Sequence, residues 1–476
     1  MLRQLDLVEL HGDIERDVLA ITRDSRQVRR GSVFVAISGV HLDGHSFVPQ
    51  LQRATAVVVE RQVQAPPGVT VIRVERTKLA LARLAAAFNA HPSRAMQMVG
   101  VTGTNGKTTI TTIVDEALRH VGWRSGRIGT TGSYIGGQPR QTDLTTPGAV
   151  ELQALLAEMR DDGVSVVAME VSSIGLAQNR VDGIEYALGV FTNLSRDHLD
   201  FHASMAEYGR AKARMFEELL RPIGGAPRAL MCADDDTWAQ MGSPEDRWLY
   251  GFAAEADIRI EECRLGSKGV KMKMGTPFGP ARIHSPIIGR HNASNLAAGL
   301  GVCLAMGMDL EDATDALSSV SGVSGRLEVI PHDALLVVVD YAHTEDALTS
   351  AISSVRQTVS GEVWVVFGCG GGRDQGKRPR MGRAVEAAAD HAVVTSDNPR
   401  NEDPQQIVDD ILAGMDLGPS HVDTNRADAI RWALNKAKDG DAVIIAGKGH
   451  EKTQQVGSEL IPFDDCVVAR LALEER

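Results

Sequence analysis

Short apolar runs recur along the chain, each breaking into polar or glycine-rich residues, and amphipathic stretches of helical period lie between them. Residues 1 to about 92 carry two β-like runs, "SVFVAI" (32–37) and "TAVVVE" (55–60). A helical pattern follows, "TKLALARLAAAFNA" (77–90), closed by His91-Pro92. From 93 to 324, "MQMVGVTG" (96–103) leads into "KTTITTIVDEALRHVG" (107–122), and "SVVAMEVSS" (165–173) leads into a polar loop. From 325 to 476 the alternation resumes with "ALLVVVDYAH" (334–343), "EVWVVFGCGG" (362–371), "HAVVTSDNPR" (391–400) and "DAVIIAGKGH" (441–450). Strands alternating with helices predict an α/β protein built on parallel sheets, in three domains: 1–92, 93–324 and 325–476. Ligands gather at the carboxyl ends of strands in such sheets, so the polar breaks are where chemistry is expected.

Bulk composition narrows the class. A chain of 476 residues with 43% hydrophobic and 24% charged side chains is that of a soluble, multi-domain protein. Fifty basic against 62 acidic side chains leave a net charge of -12, which disfavours nucleic acid and anionic membrane as partners. The five cysteines are scattered outside disulfide or zinc spacing and fit a reducing compartment. The opening "MLRQLDLVEL" mixes charge with apolar residues, unlike a signal peptide, and the longest uncharged apolar stretch, 296–308, is short of the roughly 20 residues a membrane span needs. A cytoplasmic monomer is expected.

The sharpest local signal is "VGVTGTNGKTTIT" (99–111), a strand turning through Gly103, Thr104, Asn105 and Gly106 into Lys107, Thr108, Thr109 and a helix. Glycines let backbone N–H groups wrap a phosphate, the helix start adds positive dipole, Lys107 reaches terminal phosphates and Thr108 can ligate Mg²⁺. Val101 stands where the first glycine of the usual spacing belongs. ATP is the expected nucleotide. A second signal is "SDNPRNEDP" (396–404), where Asp397, Asn398 and Arg400 surround a proline just after an apolar run. Such residues make ordinary turns, and they could equally hold a small charged molecule.

The form "GTNGKTT" resembles the Mur ligase family, ATP-dependent amide-forming enzymes of peptidoglycan synthesis. "MEVSS" (169–173), "FTNLSRDHLDFH" (191–202), "YGRAKARMF" (208–216), "GRHNASN" (289–295), "GRLE" (325–328) and "VDYAHT" (339–344) are similar to further family motifs. The resemblance implies an N-terminal UDP-binding α/β domain, a central P-loop ATPase-type domain and a Rossmann-like C-terminal domain that brings an amino acid. It implies Mg²⁺ at Thr108, Glu170, His198 and Lys212, the last carrying a carbamate that turns a cation into an oxygen ligand. Lys107, Glu170, His198 and Lys212 are the implied catalytic group. Asn292 and Asn295 would border adenine, with Arg326 and Asp340 contacting ATP.

"TRDSRQVRRGSVFVAISGVHLDGHSF" (22–47) is similar to the UDP-binding domain of the ligases that add the third residue and the final dipeptide. Ser25 and the loop with His41, Asp43, Gly44 and His45 would face the uridine diphosphate. Thr145, Thr146, Ser172, Gln178 and Arg180 would contact the muramoyl peptide of UDP-N-acetylmuramoyl-L-alanyl-D-glutamate. "DNPR" is the pattern of members that add meso-2,6-diaminopimelate. The guanidinium of Arg400 would take that substrate's distal carboxylate, and Asp397 and Asn398 would accept from its ammonium or order the loop, with Arg373, Gly447 and Glu451 completing the site. L-Lysine, with no distal carboxylate, would leave Arg400 unpaired. The sequence departs from the family pattern at Ile174, Gly372, Glu345 and Ala233. Rival readings within the resemblance are the lysine-adding ligase, the final-dipeptide ligase and folylpolyglutamate synthase. A non-catalytic ATP-binding module is the rival outside it.

Overall fold

Helix Thr77–Phe88 stops where its sequence says it must. The Asn89 side chain donates to the Ala85 carbonyl at 2.9 Å, Ala90 and His91 turn left-handed (φ 57° and 50°), and Pro92 forbids another turn. The computed structural model describes residues 1–39, 42–199, 201–221, 227–242 and 244–476. Contacts divide it into two units, residues 1–257 with 301–309, and 258–300 with 310–476.

In the first unit, a five-stranded sheet runs in the order Leu7–His11, Thr70–Val74, Ala54–Val59, Ser32–Val35, Ala20–Thr22, parallel except for the first strand. Helix Thr77–Phe88 covers it and packs on helix Ala149–Asp161, whose Ala149 joins the same apolar cluster as Leu81 and Leu84. Arg160 Nη1 donates to the Asn89 carbonyl at 2.8 Å. This seam is why residues on either side of 92 pack as one unit.

Beyond it lies a parallel sheet in the order Arg247–Gly251, Ala229–Cys232, Leu188–Phe191, Gln97–Thr102, Val166–Glu170, Ser125–Gly129. Its central strands are apolar between their ends, Met98–Val101, Val166–Met169 and Leu188–Phe191, as strands buried on both faces must be. Gly132–Ile135 and Gln138–Arg140 extend it antiparallel. The polar loop expected after Ser173 is instead a short helix, Ser173–Ala177, because the Ser172 hydroxyl caps the Gly175 N–H at 3.0 Å.

In the second unit, Ile258–Gly266, Gly269–Thr276 and Gly279–Ser285 form an antiparallel meander. A six-stranded sheet follows in the order Glu328–Ile330, Leu336–Asp340, Ala442–Ala446, Val363–Phe367, His391–Thr395, His421–Asp423, parallel except for the first strand. Helices Glu345–Arg356, Arg378–Ala388, Pro404–Leu412, Arg426–Lys436 and Asp465–Glu474 accompany it, with a separate hairpin at Thr453–Val456 and Glu459–Pro462.

Candidate active site

The phosphate-type loop lies between strand Gln97–Thr102 and helix Lys107–His120. Gly103 (φ 146°) and Gly106 (φ 88°) adopt backbone that an L side chain resists, and a Cβ on Gly103 would stand 1.8 Å from Thr192 Oγ1. The loop is strapped to the segment after strand Leu188–Phe191. Thr192 Oγ1 donates to the Asn105 carbonyl at 2.6 Å, and Asn193 takes the N–H groups of Thr104 and Asn105 at 2.8 and 2.9 Å. The Ser195 N–H donates to Thr104 Oγ1 at 3.0 Å, and Tyr208 Oη lies 3.1 Å from that hydroxyl. Thr108 and Thr109 are buried at the helix start.

Lys107 Nζ donates to the carbonyls of Gly103 and Thr104, each at 2.8 Å, and Lys212 Nζ donates to Gly103 at 2.8 Å. Lys212 is 1% exposed on helix Met205–Glu218 and lies over the Tyr208 ring, 4.4 Å from its centroid. Burial first, then the neighbouring Lys107, pushes its ammonium well below the usual lysine pKa. His198 stands at φ 53°, edge-on to Tyr208 with ring centroids 6.1 Å apart, its Nε2 3.5 Å from Asp197.

Glu170 ends strand Val166–Glu170, paired with Val101 of the strand that feeds the loop. It is 1% exposed, and Thr130 engages both of its oxygens, N–H to Oε1 at 2.8 Å and Oγ1 to Oε2 at 3.1 Å. Thr130 Oγ1 also lies 3.0 Å from Thr145 Oγ1. Thr146 Oγ1 donates to the Glu170 carbonyl at 2.9 Å and accepts the Ser172 N–H at 3.0 Å. Arg180 donates to the Thr146 carbonyl at 2.8 Å and to Gln178 Oε1 at 2.6 and 3.0 Å. Thr145, Thr146, Ser172, Gln178 and Arg180, the residues expected to contact the peptide, therefore form one hydrogen-bonded patch with Glu170.

In the N-terminal sheet, Ser25 opens a short 3-10 turn capped by Asp24. Asp43 caps the turn Gly44–Gln50, accepts from the His45 N–H (3.0 Å) and ring Nδ1 (2.7 Å), and pairs with Arg61. His45 Nε2 accepts the Glu60 N–H at 3.0 Å. That acceptor fixes the tautomer with Nδ1 as donor, so both nitrogens of His45 are engaged in holding the loop. Gly44 sits where a Cβ would meet the Ile37 N at 2.8 Å. His41 lies outside the described residues.

In the second unit, Asn292 Nδ2 donates to the Ile288 carbonyl at 2.8 Å, and Asn295 Nδ2 to Asn292 Oδ1 at 2.9 Å. Asp340 Oδ2 accepts the Leu327 N–H at 2.7 Å and Oδ1 the Ala342 N–H at 2.8 Å, so this carboxylate shapes the turn that presents Arg326. Arg326 lies over the Tyr341 ring, 4.7 Å from its centroid, with Nε buried and unbonded within the protein.

Strand His391–Thr395 delivers Asp397 and Asn398, both buried, and Arg400, half-buried at φ 54°. Asn398 Nδ2 donates to Glu451 Oε2 at 2.7 Å, and Lys448 Nζ donates to Asn398 Oδ1 (3.2 Å) and Glu451 Oε2 (3.0 Å), closing a triangle. Arg400 Nη1 donates to the Gly371 carbonyl at 2.6 Å, and the Gly371 N–H donates to the Asn398 carbonyl at 2.9 Å. This glycine run carries exposed Arg373. A Cβ on Gly447 would stand 2.8 Å from Asp397 Oδ2. Burial raises the Asp397 pKa against the opposing pull of Arg426 and Lys448. Arg426, fully buried, forks onto Asp465 at 2.7 and 2.8 Å and braces the carbonyls of Ala446 (2.9 Å) and Ser396 (3.3 Å).

Two of the sequence departures have local reasons. Gly372 adopts φ 63°, which favours glycine, and Glu345 begins helix Glu345–Arg356, where an acidic side chain suits the dipole. Thr130, Tyr208, Lys448 and Arg426 escaped sequence reasoning because their partners are remote in the chain.

Comparison with known proteins accounts for this arrangement. Residues 18–89 match the Mur ligase family, catalytic domain; 101–303 the Mur ligase middle domain; and 325–449 the Mur ligase, glutamate ligase domain. The UDP-N-acetylmuramoyl-L-alanyl-D-glutamate--2,6-diaminopimelate ligase of Geobacillus kaustophilus is 40% identical, covering 97% of this chain and 96% of the relative. The ligase of that name from Gloeobacter violaceus is 43% identical over 97% and 94%. A solved structure of a ligase with that name superposes at TM-score 0.71 with 32% identity, covering 97% of both chains. A MurF structure from Acinetobacter baumannii, 20% identical at TM-score 0.63 over 100% and 98%, shares the fold. The chain belongs to the Mur ligase family.

Proposed function

We propose that the chain is an ATP-dependent ligase that joins meso-2,6-diaminopimelate to UDP-N-acetylmuramoyl-L-alanyl-D-glutamate in peptidoglycan precursor synthesis. The observation that carries the amino-acid assignment is the loop Asp397–Arg400, which offers within one turn of chain a buried carboxylate, an amide fixed by Lys448 and Glu451, and a half-buried guanidinium. An amino acid whose far end is itself an ammonium and a carboxylate matches that donor set, and L-lysine does not.

In this reading the γ-carboxylate of D-glutamate attacks the γ-phosphate of ATP, forming an acyl phosphate and releasing ADP. The diaminopimelate amine then attacks the acyl carbon, and phosphate leaves through a tetrahedral intermediate. Gly103–Gly106 and the helix start cradle the phosphates, and Lys107 swings from the loop carbonyls to the transferring group. Thr145, Thr146, Ser172, Gln178 and Arg180 orient the peptide beside Glu170; Ser25, Asp43 and Gly44 belong to the UDP end. Asn292 and Asn295 would border the nucleotide base, and Arg326 would contact ATP, as the family resemblance implies.

No group of three or more His, Cys, Asp or Glu side chains gathers as a metal site among the described residues. Thr108 and Glu170 offer the oxygen ligands Mg²⁺ prefers, and His198 would be a less usual nitrogen ligand; Lys212 as an ammonium does not fit. Its depressed pKa favours the neutral amine, which takes up CO₂ to become a carbamate oxygen ligand. Bound Mg²⁺ would neutralise phosphate charge during transfer. No helix among the described residues is long and apolar enough to cross a membrane, and we place the enzyme in the cytoplasm as a monomer.

The test is phosphate release from ATP with the UDP-dipeptide, comparing meso-diaminopimelate with L-lysine at equal concentration. Release with diaminopimelate alone is expected. Equal release with lysine overturns the role given to Arg400, and silence with both overturns the reaction.

A further inference from the structure

The hairpin Thr453–Val456 and Glu459–Pro462, joined through Gly457 and Ser458, contributes nothing to either large sheet. Its first strand nevertheless meets the 396–400 loop residue by residue. The Thr453 carbonyl accepts from Lys448 Nζ at 2.7 Å. Gln454 Nε2 donates to the Asp397 carbonyl at 2.5 Å and to Ser396 Oγ at 3.3 Å. The Gln455 N–H donates to Asn398 Oδ1 at 2.9 Å, and its carbonyl accepts the Arg400 N–H at 3.0 Å. The Gly457 N–H donates to the Arg400 carbonyl at 2.6 Å.

Arg400 is thus held on both backbone sides at φ 54°, a left-handed conformation that an arginine adopts only when its surroundings impose it. Held otherwise, its guanidinium would leave the Gly371 carbonyl and point elsewhere. The amide of Asn398 is equally constrained, since Gln455 and Lys448 both donate to its oxygen and oblige the nitrogen to face Glu451.

We propose that this hairpin is the specificity clamp of the amino-acid site, with Gln454 as a positioning residue whose side chain fixes the backbone from which Asp397, Asn398 and Arg400 project. The inference rests on reading 397–400 as the diaminopimelate loop. It adds that selectivity between diaminopimelate and lysine, exerted through Arg400, depends also on residues that touch neither substrate.

The experiment uses the full chain and measures kcat/KM for meso-diaminopimelate and for L-lysine, with KM for ATP and the UDP-dipeptide, in wild type, Gln454→Met and Leu460→Gln. Leu460, 66% exposed on the other strand, controls for general damage to the hairpin. Loss of the Gln454 donors is expected to cut kcat/KM for diaminopimelate roughly tenfold through KM, narrowing its preference over lysine, with the ATP and UDP-dipeptide constants within about twofold. Gln454→Asn, whose amide is too short to reach, gives the same result without an apolar side chain. Amide exchange over 396–401 is expected to quicken in both Gln454 variants and to stay unchanged in Leu460→Gln. An unchanged preference, or an equal fall in every constant, overturns the clamp while wild-type activity stands. A wild type that releases no phosphate with diaminopimelate overturns the functional reading itself, and the clamp with it.

Discussion

Lys107 and Lys212, 105 positions apart in the sequence, place their ammonium groups on a single acceptor, the Gly103 carbonyl, each at 2.8 Å. Two ammonium groups so close would repel, which together with burial drives Lys212 toward its neutral form and leaves Lys107 as the cation that meets an arriving phosphate. Lys107→Ala is expected to lower the rate of acyl-phosphate formation by about 10² to 10³-fold, equivalent to about 3–4 kcal/mol of lost charge stabilisation. Affinity for the UDP-dipeptide, measured by calorimetry, should stay near the wild-type value; turnover within tenfold of wild type would refute the role.

Arg400→Lys keeps the charge and loses the planar fork. Losing one of two parallel hydrogen bonds to a carboxylate costs about 1.5–3 kcal/mol, or roughly tenfold to a hundredfold in kcat/KM for diaminopimelate. Initial rates should show this with little change in KM for ATP. An unaltered KM for diaminopimelate would count against the loop.

Asp397 gives a pH prediction. Burial raises its pKa in the folded chain above the ordinary value of 3.8, so the folded state holds a proton that the unfolded chain releases as pH rises between those values. The folded state therefore loses stability from this group as pH climbs through its folded pKa. Asp397→Asn cannot ionise and should melt above wild type at pH 7, with the gap closing as pH falls toward about 4. Its KM for diaminopimelate should rise. Melting curves with a pH-independent gap would show that desolvation of Asp397 is not what the substitution relieves.

The Arg426–Asp465 pair is fully buried, and breaking one side strands a charge. Arg426→Met is expected to destabilise the second unit by about 3–5 kcal/mol, read from the denaturant midpoint. The double variant Arg426→Met with Asp465→Leu should recover most of that stability, yet it should still bind diaminopimelate poorly, because the carbonyls of Ser396 and Ala446 lose their donor.

The parallel strands were legible because burial on both faces makes them continuous apolar runs, as in "HAVVT" and "AVIIA", and the glycines that end them announce the loops. The meander at 258–285 was equally written in the chain, since Ile258, Ile260, Val270, Met272, Met274, Ala281 and Ile283 are buried at alternate positions. Reading for parallel α/β units passed over that period of two. The phosphate loop and the polar Asp397–Arg400 loop stand out because local spacing carries them, whereas Glu170 is named through the family resemblance. Thr130, Tyr208 and Lys448 act on partners 40, 104 and 50 residues away, and only the folded chain brings those together. For His45 the sequence suggests a ligand contact, and the fold adds that its two nitrogens bond Asp43 and the Glu60 N–H.

The strapping of Gly103–Gly106 by Thr192, Asn193, Ser195 and Tyr208 bears on how nucleotide binding divides between enthalpy and entropy. Ordering four backbone residues costs roughly 1–2 kcal/mol each. Here that disorder is removed once, when the chain folds, and the loop meets each ATP already shaped, so nucleotide exchange need not melt and rebuild the cradle at every turnover.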